Sequence, residues 1–280
     1  LRVLCTLRDQ LMEDRVRNMN RLHREMKIVF PEYREAFGKI DGIFTLSVLA
    51  NAPLPSELVA LGEDGVKDIW HAEKLRGGGY KRAKEIVRLA GVSAGLTQGA
   101  EARKIAIVSF VGKVMELAAE LEEIEAQIAL KCREIPRADN ILEIHGLGAA
   151  TVSGILAEMG DIDRFDAAKE IQKLSGLGLV ACSSGKHQGQ TKISHRGRKR
   201  LRYWLFQGAL SVVSHNEAFR QIHAYYTTRA ENPLKKMQSI TVIACKLLRI
   251  IFTILKKGVR FDPDKMLSDI THPAPLDAAA

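Results

Sequence analysis

Between residues 101 and 133, apolar side chains recur at alternating spacings of four and three. They are Ile107, Val111, Val114, Ala118, Leu121 and Ile128, with Glu125 as the one polar position of the series. That period puts them on one stripe of a helix and asks for a second helix to cover it. Glu116, Glu120, Glu122 and Glu123 crowd the other faces. An acidic helix repels DNA, so the expected partner is the basic segment 1–29 or a second copy of the same helix in a homo-oligomer. A coiled-coil hairpin is expected, and with it a mainly α chain.

The other segments fit that class. In residues 1–29, Met19, Leu22, Met26 and Val29 keep a 3-4-3 spacing, and Leu4 and Leu11 lie a heptad apart. Arginines fill much of the opposite face, which suits either a solvated surface or nucleic-acid contact; Pro31 ends the helix. Residues 37–100 read as several short helices. FTLSVLANAP stops at Pro53, the next helix opens on Ser-x-x-Leu without a full capping box, and a basic helix resumes from Tyr80 after the Gly77–Gly79 turn. That last pair is either a helix-turn-helix reader or packing.

Pro136 marks a boundary. In NILEIHGLGAATVSGILAEMGDIDRF (140–165), Gly146 and Gly148 sit between two apolar-periodic helices. A helix-hairpin-helix uses such glycines to bring the N–H groups of a helix start against a phosphate oxygen; a plain glycine turn between packed helices is the alternative. Asp161 and Asp163 suit metal carboxylates or a turn at a helix end.

The stretch CSSGKHQGQTKISHRGRKRLR, 182–202, carries Lys186, Lys192, Arg196, Arg198, Lys199, Arg200 and Arg202 and no acidic residue. It is either a solvated basic loop or the place where a polyanion backbone meets the hydroxyls of Ser183 and Ser184. The net charge of +9 is modest, but its concentration here is the usual footprint of a nucleic-acid binder. Cys5, Cys132, Cys182 and Cys245 are scattered without zinc spacing, so reduced thiols are expected and no metal site. The longest apolar run, ITVIACKLLRIIFTIL, is broken by Lys246 and Arg249, so no membrane partner is expected. The chain opens with Leu1 inside a helix, which suggests that a preceding segment exists.

The blocks IHGLG, AEMGDIDRF, LSGLGLV, SSGK, ISHRGRKRLR and KLLRIIFTIL follow one another in that order over 138–258. Together they resemble the C-terminal transposase domain of the IS110-type insertion-sequence DEDD transposases, bridge-RNA-guided recombinases. The resemblance implies DNA and a guide RNA as partners. It also implies an N-terminal RuvC-like domain whose Asp-Glu-Asp-Asp carboxylates hold divalent metal, Mg2+, followed by a coiled coil and this domain. It further implies a serine nucleophile in the Ser-Gly motif, which falls on Ser184 before Gly185, with Ser183 as the fallback. No carboxylate set on alternating apolar strands occurs here. The metal-binding domain is therefore expected upstream of Leu1, and the 280 residues alone are expected to hold no cofactor and to be inactive in strand transfer.

The expected organisation is a helix at 1–36 continuing from that domain, a helical region with the coiled coil at 37–134, a compact transposase domain at 138–260 and an unstructured tail at 261–280. A serine hydroxyl needs activation to attack, and phosphoryl transfer needs preorganised cations. Lys186, Arg196, Arg198 and Arg202 could supply the charge, and His187 and His195 the proton transfer. Two other readings stay open: a non-catalytic helix-hairpin-helix DNA-binding module, and a helical scaffold that dimerises through 101–133.

Overall fold

The computed structural model describes residues 1–270 except Gly78, 181–182, 185–186, 189–191 and Asp269; for Ser183, Ser184, His187, Gln188 and Lys192 only the backbone is described. The chain is mainly α, as expected, and divides into two compact units. One is Leu7–Ile124; the other joins Leu1–Thr6 to Glu125–Ala280.

The Leu7–Ile124 unit contains most of α1 (Arg2–Val29), then α2 (Tyr33–Phe37), α3 (Ile43–Asn51), α4 (Pro55–Ala72), α5 (Gly79–Gly91) and the first part of α6 (Ala100–Arg133). Leu22, Met26 and Val29 of the predicted stripe are buried, and they share a core with Phe30, Phe37, Leu58, Ile86, Ile107, Val111 and Val114. On α6, Leu121 and Ile128 are also buried, whereas Ala118 and Glu125 are exposed. Pro55 starts α4, where the Glu57 carboxylate accepts the Leu54 N–H at 3.2 Å; the cap is made by the N3 glutamate, not by the serine. Gly62, at φ +72°, kinks the same helix. The buried carboxylate of Glu25 meets Arg103 at 2.6 Å.

The second unit is built on α12 (Lys236–Lys257), whose Ile243, Leu247, Leu248, Ile251 and Ile254 are buried in one core. Against it pack α9 (Ala168–Leu174), α10 (Lys199–His215), α11 (Glu217–Thr228) and the short α7 (Ala138–Leu142), while α8 (Ala149–Met159) packs on α10 and α7. By length and composition α12 could cross a membrane, contrary to the expectation drawn from its two internal cations. Half of its most apolar window is buried in this core, so its apolar side is used in packing. The stretch expected as an unstructured tail departs from expectation at α13 (Pro263–Leu267). Asp262 caps it by accepting the Lys265 N–H at 3.0 Å, and Met266 is buried in the core.

The basic stretch differs most from a plain loop. β1 (Leu179–Val180) pairs antiparallel with β4 (Lys192–Ile193), and β2 (Ser183–Ser184) pairs with β3 (His187–Gln188). The register sets Ser184 opposite His187 and Val180 opposite Lys192, one hairpin arm between α9 and α10.

Candidate nucleic-acid interface

The arm is anchored at its base chiefly by backbone hydrogen bonds. Past the end of α9, the Leu174, Gly176 and Gly178 carbonyls accept the N–H groups of Arg198 (2.7 Å), His195 (3.1 Å) and Ser194 (2.8 Å). Gly176 has φ +72° and Gly197 φ +145°, conformations L side chains rarely adopt. A Cβ on Gly176 would meet the Arg196 carbonyl at 2.9 Å, so the LSGLG and SHRG segments cross where neither can carry a side chain.

The arginines beyond the base are tied down by main-chain oxygens. Arg202 Nη1 donates to the Ser175 carbonyl at 2.9 Å and the His195 carbonyl at 3.3 Å, and Arg198 Nη1 donates to the Glu158 carbonyl at the end of α8. Arg200 donates to Thr6 Oγ1 at 2.9 Å and to the Cys5 carbonyl at 3.1 Å. The Glu158 carboxylate is 4% exposed, and it lies 3.7 Å from Arg200 Nε and 3.5 Å from Arg2. It is the counter-charge for Arg200 and Arg2. Sequence reasoning passed over Glu158 because it reads as one polar residue in an apolar helix.

Arg196 and Lys199 differ. Both are exposed, and neither side chain has a hydrogen bond or ion pair among the described residues. Lys199 also opens α10, which has no acidic residue in its first turn and no side-chain cap. Cations there oppose the helix dipole, an arrangement that an incoming anion relieves.

The glycine turn is set by α10 too. Gly146, at φ +97°, would press a Cβ to 3.0 Å from Val212 Cα. Ser211 Oγ donates to the Gly146 carbonyl at 2.6 Å, and Asn216 Nδ2 to the His145 carbonyl at 3.2 Å. Gly148 then stands before α8 with no side-chain cap and open space where its Cβ would be. The turn's carbonyls are thus held from behind, while the amino end of α8 is left uncapped by side chains.

Residues 138–226, which hold the glycine turn, the hairpin arm, α10 and most of α11, match the model of the transposase IS116/IS110/IS902 family. This part of the chain is a transposase domain of that family. It is 23% identical over 281 residues to the insertion element IS900 uncharacterized 42 kDa protein of Mycobacterium paratuberculosis, covering 100% of this chain and 67% of that protein. It is 22% identical over 263 residues to the insertion element IS116 uncharacterized 44.8 kDa protein of Streptomyces clavuligerus, covering 94% and 65%. Over 129 residues it is 32% identical to the pilin gene-inverting protein of Moraxella bovis, covering 45% of this chain and 39% of that one. The chain therefore spans about two thirds of the length of the first two proteins.

Within this transposase domain, the hairpin brings Ser183, Ser184 and Lys192 onto one arm, and Arg196, Arg198, Lys199, Arg200 and Arg202 follow at its base. Lys186 lies outside the described residues, as do the side chains of Ser183, Ser184 and Lys192. Gly146 and Gly148 belong to the turn on the α8 side, at the other end of α10. Asp161 and Asp163 are engaged structurally: Asp161 Oδ1 accepts the Asp163 N–H at 2.9 Å, and Asp163 pairs with Lys256 at 3.2 Å. Among the described residues no three His, Cys, Asp or Glu side chains converge into a donor set that fits a divalent metal.

Proposed function

We propose that this chain is the DNA-handling part of a transposase or recombinase, with DNA and a guide RNA as partners and Ser184 as nucleophile. One observation carries the reading: the hairpin that bears Ser183 and Ser184 is hydrogen-bonded at its base beside exposed Arg196 and Lys199. Arg202 supports the base of the arm, Arg198 and Arg200 tie the start of α10 to α8 and α1, and Arg196 and Lys199 meet phosphates. The uncapped amino end of α8 adds a second phosphate contact through backbone N–H groups.

In the cleavage step Ser184 Oγ attacks phosphorus and the bond to the leaving sugar oxygen breaks. The serine proton passes to a base and the departing oxygen takes up a proton. The resulting phosphoserine ester keeps the bond energy, so a second strand's hydroxyl reverses the step and joins the strands without external energy. His187, opposite Ser184 in the register, is the proton acceptor of this proposal.

The test has two stages. In fluorescence anisotropy with labelled duplex, Arg196→Gln and Lys199→Gln each weaken binding to any sequence and reduce the salt slope by about 0.9. In the full-length protein, Ser184→Ala abolishes a covalent protein–DNA adduct on denaturing gels while binding persists, and Ser183→Ala retains it. Salt-insensitive binding sinks the DNA reading. Adduct surviving in both serine variants sinks the nucleophile, and binding without any wild-type adduct leaves a non-catalytic DNA-binding module.

A further inference from the structure

The Leu7–Ile124 unit, outside the residues that match the family model, has an open pocket of about 530 Å3 whose polar lining is Arg15, Asn20, His23, Arg34, Lys39 and Asp41, set among Val16, Met19 and Ile40. Arg15 is only partly exposed, its Nε is buried with no hydrogen-bond partner, and its guanidinium has no ion pair among the described residues. A buried N–H without a partner is costly, and the terminal Nη groups of Arg15, which are not buried, leave the half-buried guanidinium open to an anion.

The neighbours make the imbalance larger. Arg34 Nε donates to the Tyr33 hydroxyl at 3.0 Å, and that hydroxyl lies 2.8 Å from His23 Nδ1. The hydroxyl can accept from Arg34 while giving its own proton to Nδ1, and in that tautomer His23 is neutral with Nε2–H as a donor. Burial pushes the His23 pKa down, and the charges of Arg34 and Lys27 push it further, against a smaller pull from Asp41. The pocket therefore presents three permanent cations, one imidazole N–H and one amide against a single carboxylate.

We propose that this pocket is a phosphate-binding site, in which Arg15 and Arg34 fork around a tetrahedral phosphate and Lys39 and His23 Nε2–H complete the shell. Guanidinium groups suit that geometry because their parallel N–H donors match two phosphate oxygens. The phosphate comes either from a nucleic-acid backbone, in which case the site extends the DNA-handling reading above, or from a small phosphate anion.

The whole chain is titrated with inorganic phosphate and, separately, with a single strand of about 12 nucleotides. The His23 ring signal is followed by NMR and assigned with His23→Gln. Phosphate is expected to move that signal saturably. Arg15→Gln weakens the phosphate affinity about tenfold, as loss of a charge-assisted pair does; Lys39→Gln weakens it severalfold; Lys81→Gln, outside the pocket, has no effect. Without phosphate, Arg15→Gln is expected to raise Tm, because it removes a charge the fold does not compensate; an arginine with a purely structural role would lower it.

If the oligonucleotide moves the signal at a lower concentration than phosphate and competes with it, the source is a nucleic-acid backbone. If phosphate alone moves it, the ligand is a small anion. A His23 signal indifferent to both, or an Arg15→Gln variant with lower Tm and unchanged phosphate affinity, overturns the site. DNA binding through Arg196 and Lys199 is read separately, so either idea can fail without the other.

Discussion

Gly197 lies so close to Gly176 that a Cβ on Gly197 would sit 2.7 Å from the Gly176 nitrogen and collide with the Leu174 carbonyl. The hairpin base thus rests on the absence of two side chains. Gly197→Ala combines that collision with a disfavoured φ, and a loss of about 1–3 kcal/mol is expected. Urea unfolding would read it as a lower midpoint, together with weaker DNA binding because the arm loses its anchor. An unchanged midpoint would mean the crossing is not as tight as described.

The described cations of the basic stretch separate into two classes. Arg202→Gln removes donors from the Ser175 and His195 carbonyls and is expected to cost about 1–2 kcal/mol of stability. Lys199→Gln and Arg196→Gln should leave the unfolding midpoint within about 0.5 kcal/mol of wild type while weakening DNA binding. Thermal melts paired with anisotropy separate the two behaviours; equal destabilisation by all three variants would argue against the division.

Helices α8 and α10 meet through Gly154, where a Cβ would lie 2.5 Å from Trp204 Cδ2. The indole fills the notch that glycine leaves. Gly154→Ala forces the helices apart or turns Trp204 off its rotamer, at an expected cost of about 1–3 kcal/mol. Trp204 fluorescence should change in the folded state, and a variant as stable as wild type with the same emission would contradict this packing.

His23 gives stability a defined pH dependence. Its folded pKa is lowered from 6.5, chiefly by burial, so the unfolded chain binds the proton more readily. Stability is therefore full above pH 6.5 and declines as pH falls through 6.5 toward the lower folded value. His23→Gln should remove that component. A pH scan of urea midpoints for both proteins tests the sign.

Much of the helical framework could be read from residue spacing, because long amphipathic helices advertise their buried stripe. Leu22, Met26 and Val29 on α1 and Ile107, Val111 and Val114 on α6 are buried as that spacing requires. The hairpin arm was not legible. Its strands are two residues each, too short for any alternation, and their pairing across β1 and β4 is fixed by backbone bonds at its base. The partners of Arg198, Arg200 and Arg202 were hidden for a related reason: main-chain carbonyls and a distant buried glutamate leave no mark beside a run of cations. Arg15 was invisible as well, since an arginine on an amphipathic helix reads as surface until the pocket over it is seen.

Helix α10 joins the hairpin base at one end to the glycine turn at the other, through Lys199 at its start and Ser211 and Asn216 near its finish. At 1.5 Å per residue its 17 residues make a strut about 25 Å long, close to the rise of seven base pairs at about 3.4 Å each. Because both ends are bolted to the strut, their separation is set by the helix and not by a ligand. Under the function proposed above, a duplex shorter than this gauge is expected to engage one end or the other but not both.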